Sequence, residues 1–271
     1  MKPKQKNNTI TSYSSGASFF SGAVLKGAAA VTMVVDHFAA VVIRGFAAAR
    51  RVELTEGELA AIGTVYEWMR HIGRTAFPIF AFLLLEGFYH TRDRKKYAAR
   101  LFLFAVLSEI PYDLAVSGRF CDWNAQNTLF TLFFGLLVIW LMDAAYLKSG
   151  RGGGRTGGGK MRKLSYVNLG ILFQFMIAAA GCGLAYVCRL DYRWQGIALI
   201  AFFYLFRSYR TAVCLGGFGI LTEGIPWSAP AFWMIFLYNG RRGGKKQKWL
   251  YFFYPLHLLL LYAVLRIILL S

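Results

Sequence analysis

Residues 73–97, GRTAFPIFAFLLLEGFYHTRDRKKY, combine a long apolar run with a cluster of cations directly after it. Such a run is typical of a helix that crosses a membrane and ends at a charged surface. Eight other apolar blocks occur, at about 21–48, 98–117, 127–147, 166–188, 194–206, 211–222, 229–239 and 249–270. The pattern predicts an all-α fold, a polytopic transmembrane helix bundle of about nine spans. The blocks at 211–222 and 229–239 are short for a crossing and could form one re-entrant or broken pair.

The composition of the 271-residue chain agrees with this prediction. Hydrophobic residues make up 57% and charged residues 16%, against about 25% charged residues in a soluble domain. The four cysteines form no CxxC pair, and no Cys/His spacing suits zinc. No Walker, Rossmann, nucleophile-elbow or HExxH motif occurs. A soluble enzyme, a disulfide scaffold and a metal site are therefore not expected.

The distribution of cations predicts how the chain crosses the membrane. Lys and Arg total 31 against 13 Asp and Glu, a net charge of +18, which in a soluble chain would suggest nucleic acid. Here most cations lie in the N-terminal segment and in alternate connections between the blocks, as the positive-inside rule requires. We therefore expect no nucleic-acid partner. The lipid bilayer is the expected partner, in the cell (plasma or inner) membrane, with the N-terminus in the cytoplasm.

The same pattern predicts a cytoplasmic arm at 1–21 and a transmembrane domain at 22–271. The segment 49–72 is too polar to span and looks amphipathic. It is expected to lie on the outer membrane face as a partial lid.

Ionisable side chains inside the predicted spans are costly in a bilayer and are therefore candidates for function. Because a helix rises about 1.5 Å per residue, a position within a span gives a depth. Counted from the predicted span starts, His37 lies about 20 Å and Glu109 about 18 Å from the inner face, and Glu86 and His257 about 12 Å. Two polar layers are thus expected: an outer one with Asp36, His37 and Glu109, and an inner one with Glu86 and His257.

Asp36 and His37 are the most unusual pair. Neighbouring helix residues point about 100° apart, so the two cannot face the same way, although both can border one polar cavity. A histidine exchanges protons near neutral pH, and a nearby carboxylate raises its basicity. The alternative is a structural hydrogen bond between helices.

Other polar groups have two interpretations each. Arg74 could stabilise an oxyanion or hold a carboxylate, or it could anchor the helix at the interface. Glu109 and Asp113 share a helix face and could bind a cation or accept protons, or compensate a buried arginine. Gln126 and Asn127 could cap a helix or contact a substrate.

Taken together, these blocks resemble the TraX family. Besides residues 73–97, the resemblance is carried by VDH at 35–37, SEIPYDL at 108–114, QNTLFTL at 126–132, LYNGRRG at 237–243 and FFYPLHLL at 252–259. The best-known member of the family is tied to conjugative transfer and acetylates the N-terminus of pilin. The family is also similar to membrane acyltransferases that use cytoplasmic acetyl-CoA. The run DHFAA departs from the family, in which a glycine commonly follows the histidine closely, and the Gly/Arg-rich segment 148–163 is particular to this chain.

The resemblance implies an integral-membrane acetyltransferase that moves acetyl from acetyl-CoA to an external amine or hydroxyl on an acceptor protein or glycan. His37 would deprotonate the acceptor or briefly carry the acetyl group, with Asp36 or Glu109 orienting the imidazole and Arg74 holding the acceptor or the oxyanion. The expected contacts with CoA are Arg92, Arg94, Lys95, Lys96, Arg241, Arg242 and His257, with Glu86 beside His257 along the pantetheine route. The expected contacts with the acceptor are Asp113, Gln126 and Asn127.

Two alternatives remain open from the sequence. Buried Asp, Glu and His side chains would also suit a proton-coupled transporter, although no internal repeat is present. The chain could also be a non-enzymatic membrane component of a conjugation system, with its polar residues merely structural.

Overall fold

The computed structural model describes residues 19–155, 160–221, 227–244 and 249–270, and within 149–167 it describes the backbone alone. Most of the predicted arm, residues 1–18, lies outside this part of the chain. All named elements in the described residues are helical, so the all-α prediction is confirmed. The last arm residues are not separate from the bundle, because the backbone N–H groups of Phe19 and Phe20 donate to the carbonyl of Leu237.

The helices follow the apolar blocks of the sequence closely. They are α1 (Gly22–Phe38), a π-helical segment (Ala39–Ile43), α2 (Arg44–Ala49), α3 (Glu56–Gly73), α4 (Ala76–His90), α5 (Arg94–Ser117), α6 (Thr128–Arg155), α7 (Lys160–Val187), α8 (Arg193–Leu205), α9 (Arg210–Ile220), α10 (Ala229–Phe236) and α11 (Trp249–Leu270).

Short polar side chains explain where several helices begin. Ser21 caps α1, and Thr55 forms a capping box with Glu58 at the start of α3. Asp93 caps α5, and the hydrogen bond from the Lys96 backbone N–H holds the pKa of this carboxyl below its usual value. The helix ends at Gly118, whose φ of 69° suits glycine.

Five helical stretches in the described residues are long and apolar enough to cross a membrane: Gly22–Ala49, Glu56–His90, Thr128–Lys148, Asn168–Val187 and Trp249–Leu270. The chain is therefore a multi-pass membrane protein, but nine spans are not confirmed. Helix α5 is not among the five stretches, and its apolar part carries three charged residues, Arg100, Glu109 and Asp113. Helices α8, α9 and α10 have 13, 11 and 8 residues, or about 20, 17 and 12 Å, against a hydrocarbon core of about 30 Å.

The chain divides into two compact units, which are described separately. The first comprises the described residues of 1–90 and 205–271. In it α1 packs against α3, α4 and α11, and α10 packs against α4 and α9. Its buried side chains include Leu25, Phe77 and Ile235.

The second unit, Thr91–Tyr204, is built around α6, which packs against α5 and α7. Close approach of its helices depends on small residues, since a Cβ at Gly135 would collide with Ile200 of α8 and one at Gly181 with Val138 of α6. Within it, Arg94 of α5 pairs with Asp143 of α6 over 2.6 Å.

Candidate functional site

The end of α1 presents the two residues of the predicted catalytic pair in different directions. Asp36 contacts α3 through Arg70, whereas His37 contacts α11 through His257. This divergence agrees with the 100° turn between neighbouring helix residues. The π-helical segment begins at Ala39, two residues after His37, and such segments are frequent at functional sites.

His37 and His257 form a buried imidazole pair. Nδ1 of His37 lies 2.7 Å from Nε2 of His257, and the two rings are nearly parallel, with centroids 5.0 Å apart and planes 17° apart. The two residues are only 8% and 5% exposed. The ring of Tyr254 meets both imidazoles edge-on, and Phe253 stacks on His257 at 5.2 Å. The pair joins α1 to α11 in a site shielded from solvent.

The prediction of separate layers for His37 and His257 is therefore wrong. It assumed that α1 and α11 begin at the same depth. His37 is fifteen residues after the start of α1, or about 23 Å, whereas His257 is eight residues after the start of α11, or about 12 Å. The two side chains nevertheless meet, so depth counted along each helix alone does not locate them.

Arg70 is a site residue that the sequence analysis missed. Its Nη1 lies 2.5 Å from Oδ2 of Asp36, and the two side chains are 27% and 21% exposed. Gly73 makes this approach possible, because a Cβ there would collide with the Asp36 carboxylate. The available signal was helical spacing, since Arg70 lies one turn before Arg74 on an amphipathic segment. Arg74 itself forms the C-cap of α3.

An aromatic cluster adjoins Arg70 on α3. The imidazole of His71 stacks on Trp227 with centroids 4.3 Å apart, and Trp68 meets Trp227 edge-on at 5.1 Å. Trp68 is exposed. The cluster could not be predicted from the sequence, because Trp227 is far from α3 along the chain.

Glu86 belongs to a second buried polar group in the first unit. The hydroxyl of Tyr238 donates to its Oε2 over 3.3 Å, and the guanidinium of Arg210 donates to the backbone carbonyl of Tyr238. His90, one turn along α4, lies 3.9 Å from the same carboxylate. Glu86 is thus held by α4 and by the segment after α10.

The predicted CoA-binding cations divide between the two units. Arg241 and Arg242 are exposed in the connection after α10, where the Arg241 carbonyl accepts from the backbone N–H of Gly22 at the start of α1. In the second unit Arg92, Lys95 and Lys96 are exposed. Arg94 differs from them because Asp143 balances its charge, and the hydroxyl of Tyr204 also donates to that carboxylate.

The polar residues predicted to serve the acceptor lie in the second unit. Asn127 is fully buried and donates to the carbonyl of Ala105 and to Glu109. Its Oδ1 accepts from the N–H of Leu129, so the predicted helix cap is confirmed for this residue. The backbone N–H of Gln126 donates to the carbonyl of Arg189.

Asp113 is buried, and its carboxylate accepts from the backbone N–H of Asp122 over 2.8 Å. Asp122 lies in the connection after α5, where the backbone N–H of Asn124 holds the pKa of its carboxyl below the usual value. Glu109 and Asp113 thus stabilise the start of α6 and the preceding connection. Glu109 and His37 belong to different units, and the predicted contact between them stays a prediction.

Three polar oxygens near this point have no hydrogen-bond partner among the described residues: Oε1 of Glu109, Oγ of Ser108 and Oγ1 of Thr131. Ser108 and Thr131 are fully buried. Across all the residues that the structure describes, no group of three or more His, Cys, Asp or Glu side chains is arranged to hold a metal ion.

Comparison with known proteins agrees with this architecture. The family described as TraX protein matches residues 21–265. The probable fimbrial assembly protein FimC, serogroup H1, of Dichelobacter nodosus is 31% identical over 127 residues, which cover 44% of this chain and 46% of the relative. The chain thus spans about half the length of this relative. No solved structure matches this chain significantly. Because the family match covers nearly the whole membrane region, the chain belongs to the TraX family.

Proposed function

We propose that this protein is a membrane acetyltransferase that moves acetyl from acetyl-CoA to an amine or hydroxyl on the other side of the membrane. The observation that carries the proposal is the buried contact between His37 and His257. An imidazole that is shielded from water and held by a second side chain has the arrangement of a general base or nucleophile. At the preceding residue, Asp36 forms a partly buried ion pair with Arg70 of α3.

The chemistry needs one group to move the acceptor's proton. In direct transfer the acceptor nitrogen or oxygen forms a bond to the acetyl carbon, and the bond from that carbon to sulfur breaks. His37 takes the proton that the acceptor loses and returns it to the CoA thiolate. In the alternative, a His37 nitrogen forms a bond to the acetyl carbon while the CoA thiolate leaves. The acceptor then forms its bond to that carbon, the bond to the His37 nitrogen breaks, and the acceptor's proton passes by way of the freed imidazole to the thiolate. Both routes use the same imidazole.

Exposed cations supply a place for the CoA phosphates. Arg241 and Arg242 follow α10 and lie beside the start of α1, the helix that carries His37. The charge pattern favours the cytoplasmic side for this connection and for the N-terminus. Arg92, Lys95 and Lys96 remain candidates in the second unit, whereas Asp143 already neutralises Arg94.

The acceptor we propose is a subunit of a surface fibre, modified at its N-terminal amine. The support is membership of the TraX family and the similarity to a probable fimbrial assembly protein. A glycan hydroxyl is the alternative acceptor, and it needs the same base.

Reconstitution tests the activity. Proteoliposomes with purified protein receive acetyl-CoA labelled in the acetyl group, together with peptides that carry free N-terminal amines. The same peptides with blocked N-termini are the control. We expect label in the peptides whose N-terminal amine is free, together with an equal amount of released CoA thiol. Absence of CoA release with every amine and hydroxyl acceptor offered would contradict it.

A specific observation favours proton-coupled transport as a second candidate. Among the described residues, Oε1 of Glu109 has no hydrogen-bond partner, and neither have the buried hydroxyls of Ser108 on α5 and Thr131 on α6. An ionisable group of this kind suits proton or cation binding. Proton flux in the same liposomes without acetyl turnover would support this function instead.

A further inference from the structure

The hydrogen bonds of the histidine pair determine which ring nitrogen carries each proton. Nδ1 of His257 lies 2.9 Å from the backbone carbonyl of Phe253. A carbonyl oxygen only accepts hydrogen bonds, so Nδ1 of His257 must carry a hydrogen. In the neutral ring its Nε2 is then an acceptor without a hydrogen.

The same logic extends to His37. Its Nδ1 lies 2.7 Å from Nε2 of His257. Because that Nε2 accepts, Nδ1 of His37 must donate, and in the neutral ring Nε2 of His37 keeps a free lone pair. The nitrogen that can take a proton or an acetyl group is therefore the one directed away from His257.

Packing keeps both rings in this orientation. The rings of Phe253, His257 and His37 are nearly parallel, with interplanar angles of 14° and 17° between successive rings. Tyr254 contacts both imidazoles at centroid distances of 5.9 and 5.6 Å. Rotating either ring would break a hydrogen bond and disturb the contacts with Tyr254.

We propose that His257 is a positioning residue that holds His37 in the tautomer with a bare Nε2. The inference rests on the proposed acetyl transfer and deepens it. Nε2 of His37 takes the acceptor's proton, while Nδ1–H keeps its bond to His257 and stabilises the imidazolium. The proton then passes from Nε2 to the CoA thiolate. His257 touches neither the acceptor nor the acetyl group, in contrast to the CoA contact expected from the sequence.

Kinetics of two His257 variants test this role. His257→Leu removes the acceptor for Nδ1 of His37, whereas His257→Gln retains a side-chain oxygen that can accept. We expect His257→Leu to lower kcat by about 100-fold or more, in the range of general-base catalysis, with the KM for acetyl-CoA within about twofold. His257→Gln should recover at least about tenfold of that loss. His90→Gln, on the exposed end of α4, is the matched control and should keep the wild-type kcat.

A spectroscopic measurement separates this inference from the proposed function. In wild-type protein with 15N-labelled histidine, Nδ1 of His37 should give a protonated signal and Nε2 an unprotonated one, and His257→Leu should mix the two tautomers. This result stands whether or not acetyl transfer is found.

The positioning role is overturned if Nε2 of His37 carries the hydrogen, or if His257→Leu keeps the wild-type kcat while His37→Ala is inactive. A raised KM with an unchanged kcat would also overturn it and would assign His257 to CoA binding. If His257→Leu does not fold, His257→Gln and the wild-type spectrum decide.

Discussion

Arg70 on α3 and Asp36 on α1 form an ion pair over 2.5 Å, one residue before the imidazole that contacts α11. The ion pair links the C-terminal part of α3 to the C-terminal part of α1. Both side chains are mostly buried, so each charge depends on the other for compensation. Asp36 therefore has a partner of its own on α3, whereas His37 contacts His257 of α11.

A double-mutant cycle measures this coupling. Asp36→Asn and Arg70→Gln each leave a mostly buried charge without its partner, so each should lower the free energy of unfolding in detergent. The double variant should lose less than the sum of the two, with a coupling energy of about 1–3 kcal/mol. Strictly additive losses would show that the pair does not hold the helices together.

Gly73 should be intolerant of a side chain. A Cβ at this position meets the Asp36 carboxylate, whereas a Cβ at Gly63 on the same helix meets open space. We expect Gly73→Ala to lower the melting temperature and the acetyl-transfer rate. Gly63→Ala is the matched control and should be neutral or stabilising by up to about 1 kcal/mol, because alanine favours helices. Equal melting temperatures for the two variants would contradict the close packing of α3 on α1.

Arg94 and the pair Arg241 and Arg242 should affect different properties. Arg94→Gln leaves the Asp143 carboxylate without its cation, so it should lower the stability by about 1–3 kcal/mol and leave the KM for acetyl-CoA within about twofold. The double variant Arg241→Gln, Arg242→Gln should instead raise that KM by about tenfold or more, through lost charge-assisted bonds. Steady-state kinetics and thermal unfolding of the same preparations check both. A KM increase for Arg94→Gln equal to that of the double variant would refute this division.

Chemical labelling tests the orientation in the membrane. Cys121 is exposed in the connection after α5, and Ser208 is exposed between α8 and α9. In intact cells a membrane-impermeant maleimide should label Cys121 of a variant whose other cysteines are replaced. In a cysteine-free background, Ser208→Cys should be labelled only after permeabilisation. The opposite pattern would reverse the topology that the cations predict.

Helix positions were predictable because apolar blocks and short polar caps determine them locally. The bounds of α4 and α11 follow the predicted blocks within a few residues. The number of spans was less predictable, since a short apolar block does not reveal whether its helix crosses the membrane. The residues most worth testing, Asp36, His37 and Glu86, were also evident from their cost inside apolar runs.

The pairing of these side chains could not be predicted. Depth counted along single helices did not predict that His37 on α1 meets His257 on α11. The link from Arg70 to Asp36 depends on Gly73 and on a turn between α3 and α4. Such contacts arise from tertiary packing, which cannot be predicted from the spacing of residues within one helix.

The acetyl-transfer rate of His37→Ala tests most directly whether the imidazole of His37 carries out the proposed acetyl transfer. Wild type, His37→Ala and the control His90→Gln are purified, reconstituted in liposomes and compared for transfer from labelled acetyl-CoA to a peptide amine. Equal folded fractions are established first by thermal unfolding. We predict transfer by wild type and by His90→Gln, and a loss of about 100-fold or more in His37→Ala, which is the scale of a lost general base. Full transfer by folded His37→Ala would contradict it.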